Sequence, residues 1–478
     1  MTSQITRRTF LTQAAAAAAV AAAARPLAKV LGANDQIGVA VVGINGRGSS
    51  HIGEFRDMAD TRVVALCDVD SNVLAARAKP FADEGQEVAT YTDFRALLED
   101  RRVDVVSIAT PNHWHSLMTI WACQAGKDVY VEKPCSHNVF EGRKCVEAAR
   151  KYGRIVQHGT QGRSSDGTAR QIAAVRSGRY GRLLVSKGYC CKPRWSIGFK
   201  PFTPVPPHVD FDLWLGPAPD QFYHENLVHY NWHWFWDTGN GDMGNQGVHE
   251  MDIARWAIKD ATLPKAVIGM GGRWVDEPGF KDQGQTPNME LSVFDFGGTL
   301  LVFETRGLVD KIPAFPRRVG NEFFMEGGVI RDSRFFPGGE GEGEPLADVD
   351  YELRPGGHFG NFINCVRSRR QEELNADILL GHYASALCHI GNISYRLGSD
   401  VPFAERPAAL TASKVVSDSM LTVLENTRAI GVGEECTTYR LGSALEFDAA
   451  TEQFVDSPSA NMMLSRPYRR PFVVPDEV

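Results

Sequence analysis

The chain has 478 residues, 43% of them hydrophobic and 23% charged, an ordinary globular composition with room for two domains. A formal net charge of −7 and the lack of a dense basic patch argue against a nucleic-acid partner. Nine cysteines are scattered without a C-x-x-C pair, so neither a zinc site nor a disulfide framework is signalled, and they read as buried thiols.

Residues 1–33 read as a targeting segment. Thr6-Arg7-Arg8-Thr9-Phe10-Leu11 is a twin-arginine pattern, followed by an alanine-rich run over 14–24 and then Arg25-Pro26. The run is short for a membrane span and has the flanks of a signal peptide. The expectation is export through the twin-arginine pathway, to the periplasm or beyond, with no stable membrane span after cleavage. An uncleaved anchor is the alternative. That pathway carries folded proteins, so a cofactor loaded inside the cell would travel with the chain.

From 34 to 160 the pattern alternates strand and helix. Strands are expected at 37–42, 62–67, 103–108, 128–131 and 155–158, and helices at 49–57, 73–84, 94–99, 116–125 and 139–151. This predicts an α/β fold beginning with a Rossmann, doubly wound parallel sheet. Ligands then bind at the carboxyl ends of the strands.

The first strand ends in the turn IGVAVVGINGRG. It places Gly43, Asn45 and Gly48 at the three positions of G-x-G-x-x-G, with Gly46 and Arg47 between. Such a turn leaves helix N–H groups free to meet a phosphate. Asn stands where the second Gly is usual, and Asn tolerates unusual backbone angles better than most residues. The second strand runs into Asp68, 25 residues after Gly43, where an acid hydrogen-bonds the adenosine ribose and disfavours a 2′-phosphate. NAD is therefore the expected cofactor, ahead of NADP. The plain alternative is a tight turn with a surface aspartate.

Two more strand ends carry chemistry. Thr110-Pro111-Asn112 precedes His113-Trp114-His115, with His115 placed to cap the next helix or touch the cofactor. No metal is expected there, because no i, i+4 histidine pair or companion acid repeats the geometry. Glu132-Lys133-Pro134 follows the 128–131 strand. Pro134 restricts the backbone of Lys133 to extended conformations, so its side chain leaves the strand end in a set direction beside the nicotinamide site. A partly buried lysine near other cations serves as acid or base near neutrality. A surface lysine in a salt bridge is the bland reading.

Residues 161–430 read as a second α/β domain with a large, open, mostly antiparallel sheet, one face on helices. Its helices are expected at 167–177, 359–369, 378–396 and 407–427. Strands are expected at 183–187, 266–270, 289–296 and 299–305, with a hairpin at 322–326 and 329–334. Residues 431–478 are expected to pack on the domains as a C-terminal extension. A Pro- and Trp-rich passage at 192–236 leads into a second cluster, which runs from Trp232 and His233 through Asn245 to His249 and Asp252. His249 and Asp252 share a face if a helix begins there. A neutral histidine can take a sugar hydroxyl's proton as hydride leaves the same carbon, and aromatic faces suit the C–H faces of a sugar ring. The alternative has the aromatics in the core and His249 capping a helix. Arg163 reaches either a hydroxyl or the cofactor, or forms a structural ion pair.

Taken together, the Gly turn with Asp68, Thr110-Pro111-Asn112 with His115, Glu132-Lys133-Pro134, and Gly247-Val248-His249 with Asp252 resemble the glucose–fructose oxidoreductase / inositol dehydrogenase (Gfo/Idh/MocA) family over roughly 37–396. The resemblance implies a Rossmann domain followed by an open-sheet α/β domain. It also implies that Lys133 contacts substrate and nicotinamide and that His249 is the acid/base. Sheet faces pair subunits in that family, implying a homodimer or homotetramer. Two departures stand out: Asn45 in the fingerprint, and Asn245 where many members carry an aspartate four residues before the motif histidine. Asn245 hydrogen-bonds a hydroxyl but takes no proton, which leaves Asp242 as the alternative acid. The implied reaction interconverts a hydroxyl and a ketone on a sugar, glycoside or sugar derivative, with NAD tightly bound. An NAD-dependent, redox-cycling glycoside hydrolase of the same fold is the alternative. A non-catalytic binding protein is disfavoured by the presence of both Lys133 and His249.

Overall fold

The computed structural model describes residues 36–275, 280–432 and 438–478. The expected export signal lies outside the described residues. The chain opens with β1 (Ile37–Val42), α1 (Arg47–Asp57), β2 (Thr61–Cys67), α2 (Ser71–Asp83), β3 (Ala89–Tyr91), α3 (Phe94–Leu98), β4 (Val105–Ile108), α4 (Asn112–Gln124), β5 (Asp128–Val131), α5 (Val139–Lys151) and β6 (Val156–His158). The six strands form a parallel sheet in the order β3-β2-β1-β4-β5-β6. Every residue of β1, β4 and β5 is buried. That is why these strands read as continuous apolar runs: helices cover both faces. The helix starts are capped where the sequence changes from extended to periodic. The Asp70 carboxylate accepts from the backbone N–H groups of Asn72 and Val73. Asn138 accepts from Glu141 N, while Glu141 accepts from His137 N, a reciprocal cap on α5.

One face of this sheet packs on α3, α4 and α5 through residues such as Phe94, Leu117 and Cys145. The other packs on α1 and α2 through Phe55 and Phe81, and on Phe359, Phe362 and Val366 from a helix some two hundred residues downstream. Phe472 and Val474 complete the first face. The nucleotide domain is thus finished by segments that the strand–helix alternation alone did not assign to it.

The second unit contains α6 (Asp166–Arg176), β7 (Leu183–Cys191), α7 (Phe211–Leu215), α8 (Val248–Ala257), β8 (Ala266–Gly272), β9 (Met289–Asp295), β10 (Leu300–Arg306), β11 (Arg318–Met325), β12 (Gly328–Arg331), β13 (Arg334–Pro337), β14 (Glu344–Pro345), α9 (Gly357–Ser368), α10 (Ile378–Arg396), β15 (Ser399–Pro402), α11 (Ala408–Thr411), α12 (Lys414–Ala429), β16 (Thr438–Leu441), β17 (Leu445–Asp448), β18 (Gln453–Phe454) and α13 (Pro458–Met462). The main path of the sheet runs β14-β13-β12-β11-β7-β10-β9-β8-β16-β15. Its pairs are antiparallel apart from β7–β10. The helix expected over 407–427 is two helices, broken between Thr411 and Lys414. The short strands β15 to β18 have no clear period and are fixed by pairing.

The sheet differs from expectation in one respect. Phe294, Leu301 and Phe303 face α8 and α10. Their neighbours Leu291, Val293 and Val302 face Val416, Met420 and Leu424 of α12. The period of two along β9 and β10 thus feeds two cores. Instead of one covered face, the middle of the sheet has helices on both. Any pairing of subunits through that stretch would meet the outer side of α12, which carries Lys414, Asp418 and Glu425.

Candidate functional site

A cavity of about 720 Å³ lies between the carboxyl edge of the parallel sheet and the second unit. Its floor is the Gly turn. Gly43 has φ +75, and a Cβ there would lie 2.7 Å from the backbone nitrogen of Thr110, so both conformation and space demand glycine. Gly48 sits tight under the Gly43 carbonyl and does not line the cavity; its part is close strand–helix packing. Asn45, Gly46 and Arg47 do line it, and no side chain caps the start of α1. A helix start without a side-chain cap suits a pyrophosphate. Asp68 lines the next stretch. Its carboxylate accepts from Ile44 N at 2.8 Å and Asp70 N at 3.0 Å. A carboxylate has about four lone-pair sites, so capacity remains for hydroxyl donors. Burial raises its pKa, opposed by those two hydrogen bonds. An uncapped helix start beside an acid with spare acceptors fits a dinucleotide.

Thr110, Pro111, Asn112 and His115 line the cavity at the end of β4. Asn112 is also tied to the second unit, donating to Asn240 Oδ1 at 2.9 Å. Both ring nitrogens of His115 lie against carbonyls, Nδ1 at 2.6 Å from Pro134 O and Nε2 at 2.7 Å from Thr110 O. Only an imidazolium donates to both, yet burial lowers the pKa. His115 in this arrangement ties the ends of β4 and β5 together.

Glu132 is the electrostatic hub. It accepts from Arg47 Nε at 2.9 Å, contacts His51 Nε2 at 3.1 Å and accepts from the Lys133 backbone at 3.2 Å. Burial alone would raise its pKa, but His51, Lys133 and Arg47 hold it well below the carboxylate range. The anion in turn stabilises a positive charge on the neighbouring lysine. Burial lowers the pKa of Lys133, with Glu132 and Asp242 opposing. Lys133 Nζ donates to the backbone carbonyl of Asn245 at 2.7 Å. That carbonyl belongs to the π-helical turn Met243–Gly247, which leads straight into α8. The lysine and the second motif are therefore joined through backbone.

His249, the second residue of α8, lines the same cavity. Burial and the Lys133 charge push its pKa down to about 3, so the ring is neutral at physiological pH. His233 is similar. Its Nδ1 donates to Tyr230 O at 2.6 Å, its ring stacks on Trp232 with centroids 3.6 Å apart, and burial lowers its pKa to about 3. This tautomer leaves Nε2 as an acceptor. Trp232, His233 and Asn245 all line the cavity.

Two expected substrate contacts lie elsewhere. Arg163 and Asp252 form a bidentate pair at 2.7 and 2.8 Å, 6% and 1% exposed, and neither lines the cavity. Of the two readings of Arg163, the structure shows the ion pair. Asp252 shares the α8 N-terminal region with His249 but is turned to Arg163. Asp242 is also committed: its carboxylate accepts from Arg194 Nε at 2.9 Å and Asn245 Nδ2 at 3.3 Å and lies outside the cavity lining. It holds the π-helical turn in place of acting as a surrogate acid. Among the described residues no cluster of three potential metal ligands occurs.

Sequence reasoning missed His51, the buried partner of Glu132, and the roof formed by Leu213, Trp214, His229 and Tyr230. His51 lies just one helical turn beyond the Gly turn, the only hint available. The roof residues stand in the Pro- and Trp-rich passage, which has no period to read.

Comparison with known proteins bears on the two domains and on the fold. Residues 37–160 match the family model of the GFO/IDH/MocA oxidoreductases for the NAD-binding Rossmann fold. Residues 182–271 match the C-terminal alpha/beta domain of the same family. A glycosyl hydrolase family 109 protein of Shewanella sp. (strain ANA-3) is 30% identical over 172 residues, covering 34% of this chain and 37% of that protein. The inositol 2-dehydrogenase of Salmonella typhimurium is 31% identical over 150 residues, 31% of this chain and 44% of that one. These alignments thus span less than half of either relative. In overall fold the chain is similar to the WlbA dehydrogenase of Bordetella pertussis, solved with NADH and UDP-GlcNAcA. The TM-score is 0.56 at 19% identity, over 76% of this chain and 97% of that one. A levoglucosan dehydrogenase solved with NADH and levoglucosan gives 0.54 at 17% identity, over 75% and 96%. Two stretches of the chain, 37–160 and 182–271, thus match the two domain models of the GFO/IDH/MocA oxidoreductase family.

Proposed function

We propose that this protein is an NAD-dependent oxidoreductase that interconverts a hydroxyl and a ketone on a sugar, glycoside or sugar derivative. The observation that carries the reading is the convergence in one cavity of the Gly turn, Asp68, Lys133 and His249, contributed by both domains. Arg47 and the open start of α1 would hold the pyrophosphate, and Asp68 the adenosine ribose, which favours NAD over NADP. A nicotinamide held there would supply hydride exchange with the substrate carbon. Lys133 orients the reacting oxygen, and its charge stabilises the alkoxide that forms as the proton departs. His249, neutral and next to Lys133, accepts that proton, and on reduction of a ketone returns it. His233 Nε2 accepts a hydrogen bond from a second hydroxyl, and the Trp232–His233 stack presents a flat face to the sugar ring. Asn245 supports Lys133 through its carbonyl. Arg163 and Asp252 tie α8 to the segment that follows β6.

Export through the twin-arginine leader is part of the proposal. An exported enzyme would carry its NAD with it, so a second carbonyl substrate would take up the hydride, itself becoming an alcohol, and restore NAD in ping-pong fashion. The match to glycosyl hydrolase family 109 proteins supports a second reading. There, oxidation, elimination and re-reduction within one cycle cleave a glycoside with no net change in the cofactor.

The test begins with protein purified without added cofactor. The released dinucleotide is identified after denaturation, and the absorbance of reduced nicotinamide is followed as intact enzyme meets sugars, keto-sugars and glycosides. Reduction by one sugar and reoxidation by a keto-sugar support the oxidoreductase. Release of aglycone without lasting absorbance supports the hydrolase. Failure to bind any dinucleotide overturns both.

A further inference from the structure

The roof of the cavity belongs by sequence to the second domain, yet it is stitched to the first. On one side, Asp70 and Val209 form a β-bridge, Ser71 N donates to His208 O and Asp210 N donates to Val69 O, each at 2.9 Å. His229 Nε2 lies 2.9 Å from Asp70 Oδ2. On the other side, the Trp114 indole donates to Leu213 O at 2.9 Å and Trp214 O at 3.1 Å, and His113 Nε2 donates to Trp214 O at 2.9 Å. Leu213, Trp214, His229 and Trp114 themselves line the cavity, as do Asp68, Thr92, Asp93 and Phe94, with Asp68 marking the end where the adenosine would lie.

A third segment locks this seam. Residues 466–478 cross the nucleotide domain beside α7. Arg469 Nε donates to Gly216 O at 2.9 Å, and the same guanidinium pairs with Asp212. Phe472, 2% exposed, meets the Trp114 ring edge-on at 5.4 Å and lies between the guanidinium groups of Arg95 and Arg469. One run of contacts therefore links Phe472 to Trp114, Trp114 to α7, and α7 to the cavity wall. The hydrogen bonds of Trp114, His113 and Arg469 to α7 and Gly216 must break before the roof can lift, and Phe472 packs against the Trp114 ring that makes two of them.

We infer that residues 466–478, through Arg469 and Phe472, latch the 208–230 roof over the adenosine end of the cavity and so retain the dinucleotide between turnovers. Both are positioning residues: they act through Trp114 and α7 and touch neither ligand nor reacting atoms. The inference rests on the dinucleotide reading above. It adds that retention is set by a segment outside the nucleotide-binding motifs.

The test is the dissociation rate of NAD from full-length protein. Protein loaded with radiolabelled NAD is chased with unlabelled NAD and sampled by rapid gel filtration. Arg469→Ala should release label at least about tenfold faster than wild type, the consequence of losing an interaction of about 1.4 kcal/mol from the closed roof alone. Arg469→Lys, which keeps the charge but not the fork, should fall between. Phe472→Ala, verified as folded by its circular dichroism, should release at least as fast as Arg469→Ala. A merely structural role would lower the melting temperature without changing release from the folded protein. Folded Arg469→Ala releasing at the wild-type rate overturns the latch. So does wild-type protein that loses its NAD in one gel-filtration pass, though the cofactor reading then stands. Wild type that binds no dinucleotide overturns both.

Discussion

Replacing Lys133 by methionine removes one ammonium group and little volume. The structural consequences are contained. The Asn245 carbonyl loses its 2.7 Å donor, and Glu132 keeps Arg47 and His51. A lost hydrogen bond of this kind is worth about 1 kcal/mol. Relief of the buried charge works the other way, because burial disfavours the ammonium in the fold. Stability should therefore move by no more than about 1–2 kcal/mol. Turnover should move far more. If Lys133 steadies the developing alkoxide beside His249, its loss removes a factor of about 10²–10⁴ from the chemical step, or about 3–5 kcal/mol of barrier. The assay is single-turnover reduction of bound NAD by the sugar found active in the substrate panel, with melting temperature measured alongside. A folded Lys133→Met protein that reduces NAD within about tenfold of wild type would refute the role.

The Arg163–Asp252 pair should matter to stability and little to the substrate. Asp252→Asn, which leaves a buried guanidinium without its counter-charge, should cost about 3–5 kcal/mol in denaturant unfolding while KM of the folded fraction stays near wild type. Gly43→Ala should weaken dinucleotide binding and destabilise by at least about 1–2 kcal/mol, since φ +75 strains any Cβ and Thr110 N stands in its way; calorimetry with NAD and thermal melts check both. Glu290, 2% exposed with Oε1 unpartnered, has its pKa raised by burial to about 8 from an ordinary 4.5. The folded chain keeps a proton that the unfolded chain releases, so stability falls as pH rises from about 4.5 to 8. Glu290→Gln should flatten part of that fall, gaining on the order of 3 kcal/mol at neutral pH and nothing near pH 4.5; urea melts across the window measure it, and an unchanged slope would sink the assignment.

What was legible in the sequence followed from local physics. β1 and β5 occur at 37–42 and 128–131 because both-face burial writes an unbroken apolar run, and α5 and α10 occur at 139–151 and 378–396 because each carries a side-chain cap and a long apolar period. The placement of the Gly turn, Asp68 and Lys133 on one cavity was readable because each sits at a strand end, where the topology of a parallel sheet opens a crevice. His249 followed from its motif and from the density of polar groups around it.

Other features were decided only by tertiary structure. Nothing local tells that Asp252 turns to Arg163, 89 residues earlier, or that Asp242 turns to Arg194. A carboxylate goes to whichever cation the fold brings near, because burying it unpaired costs more than any local preference supplies. Helix α12 gives no sign in its own period of which sheet face it will cover. The roof of the cavity and the 466–478 segment that holds it have little regular structure. Their shape comes from long-range contacts such as Trp114 to Leu213 and Phe472 to Trp114. The sequence by itself determined the elements and the strand-end chemistry, which depend on neighbours a few residues away. Only the tertiary structure decided the partners of the buried charges and the closure of the cavity, because both depend on groups that folding alone brings into contact.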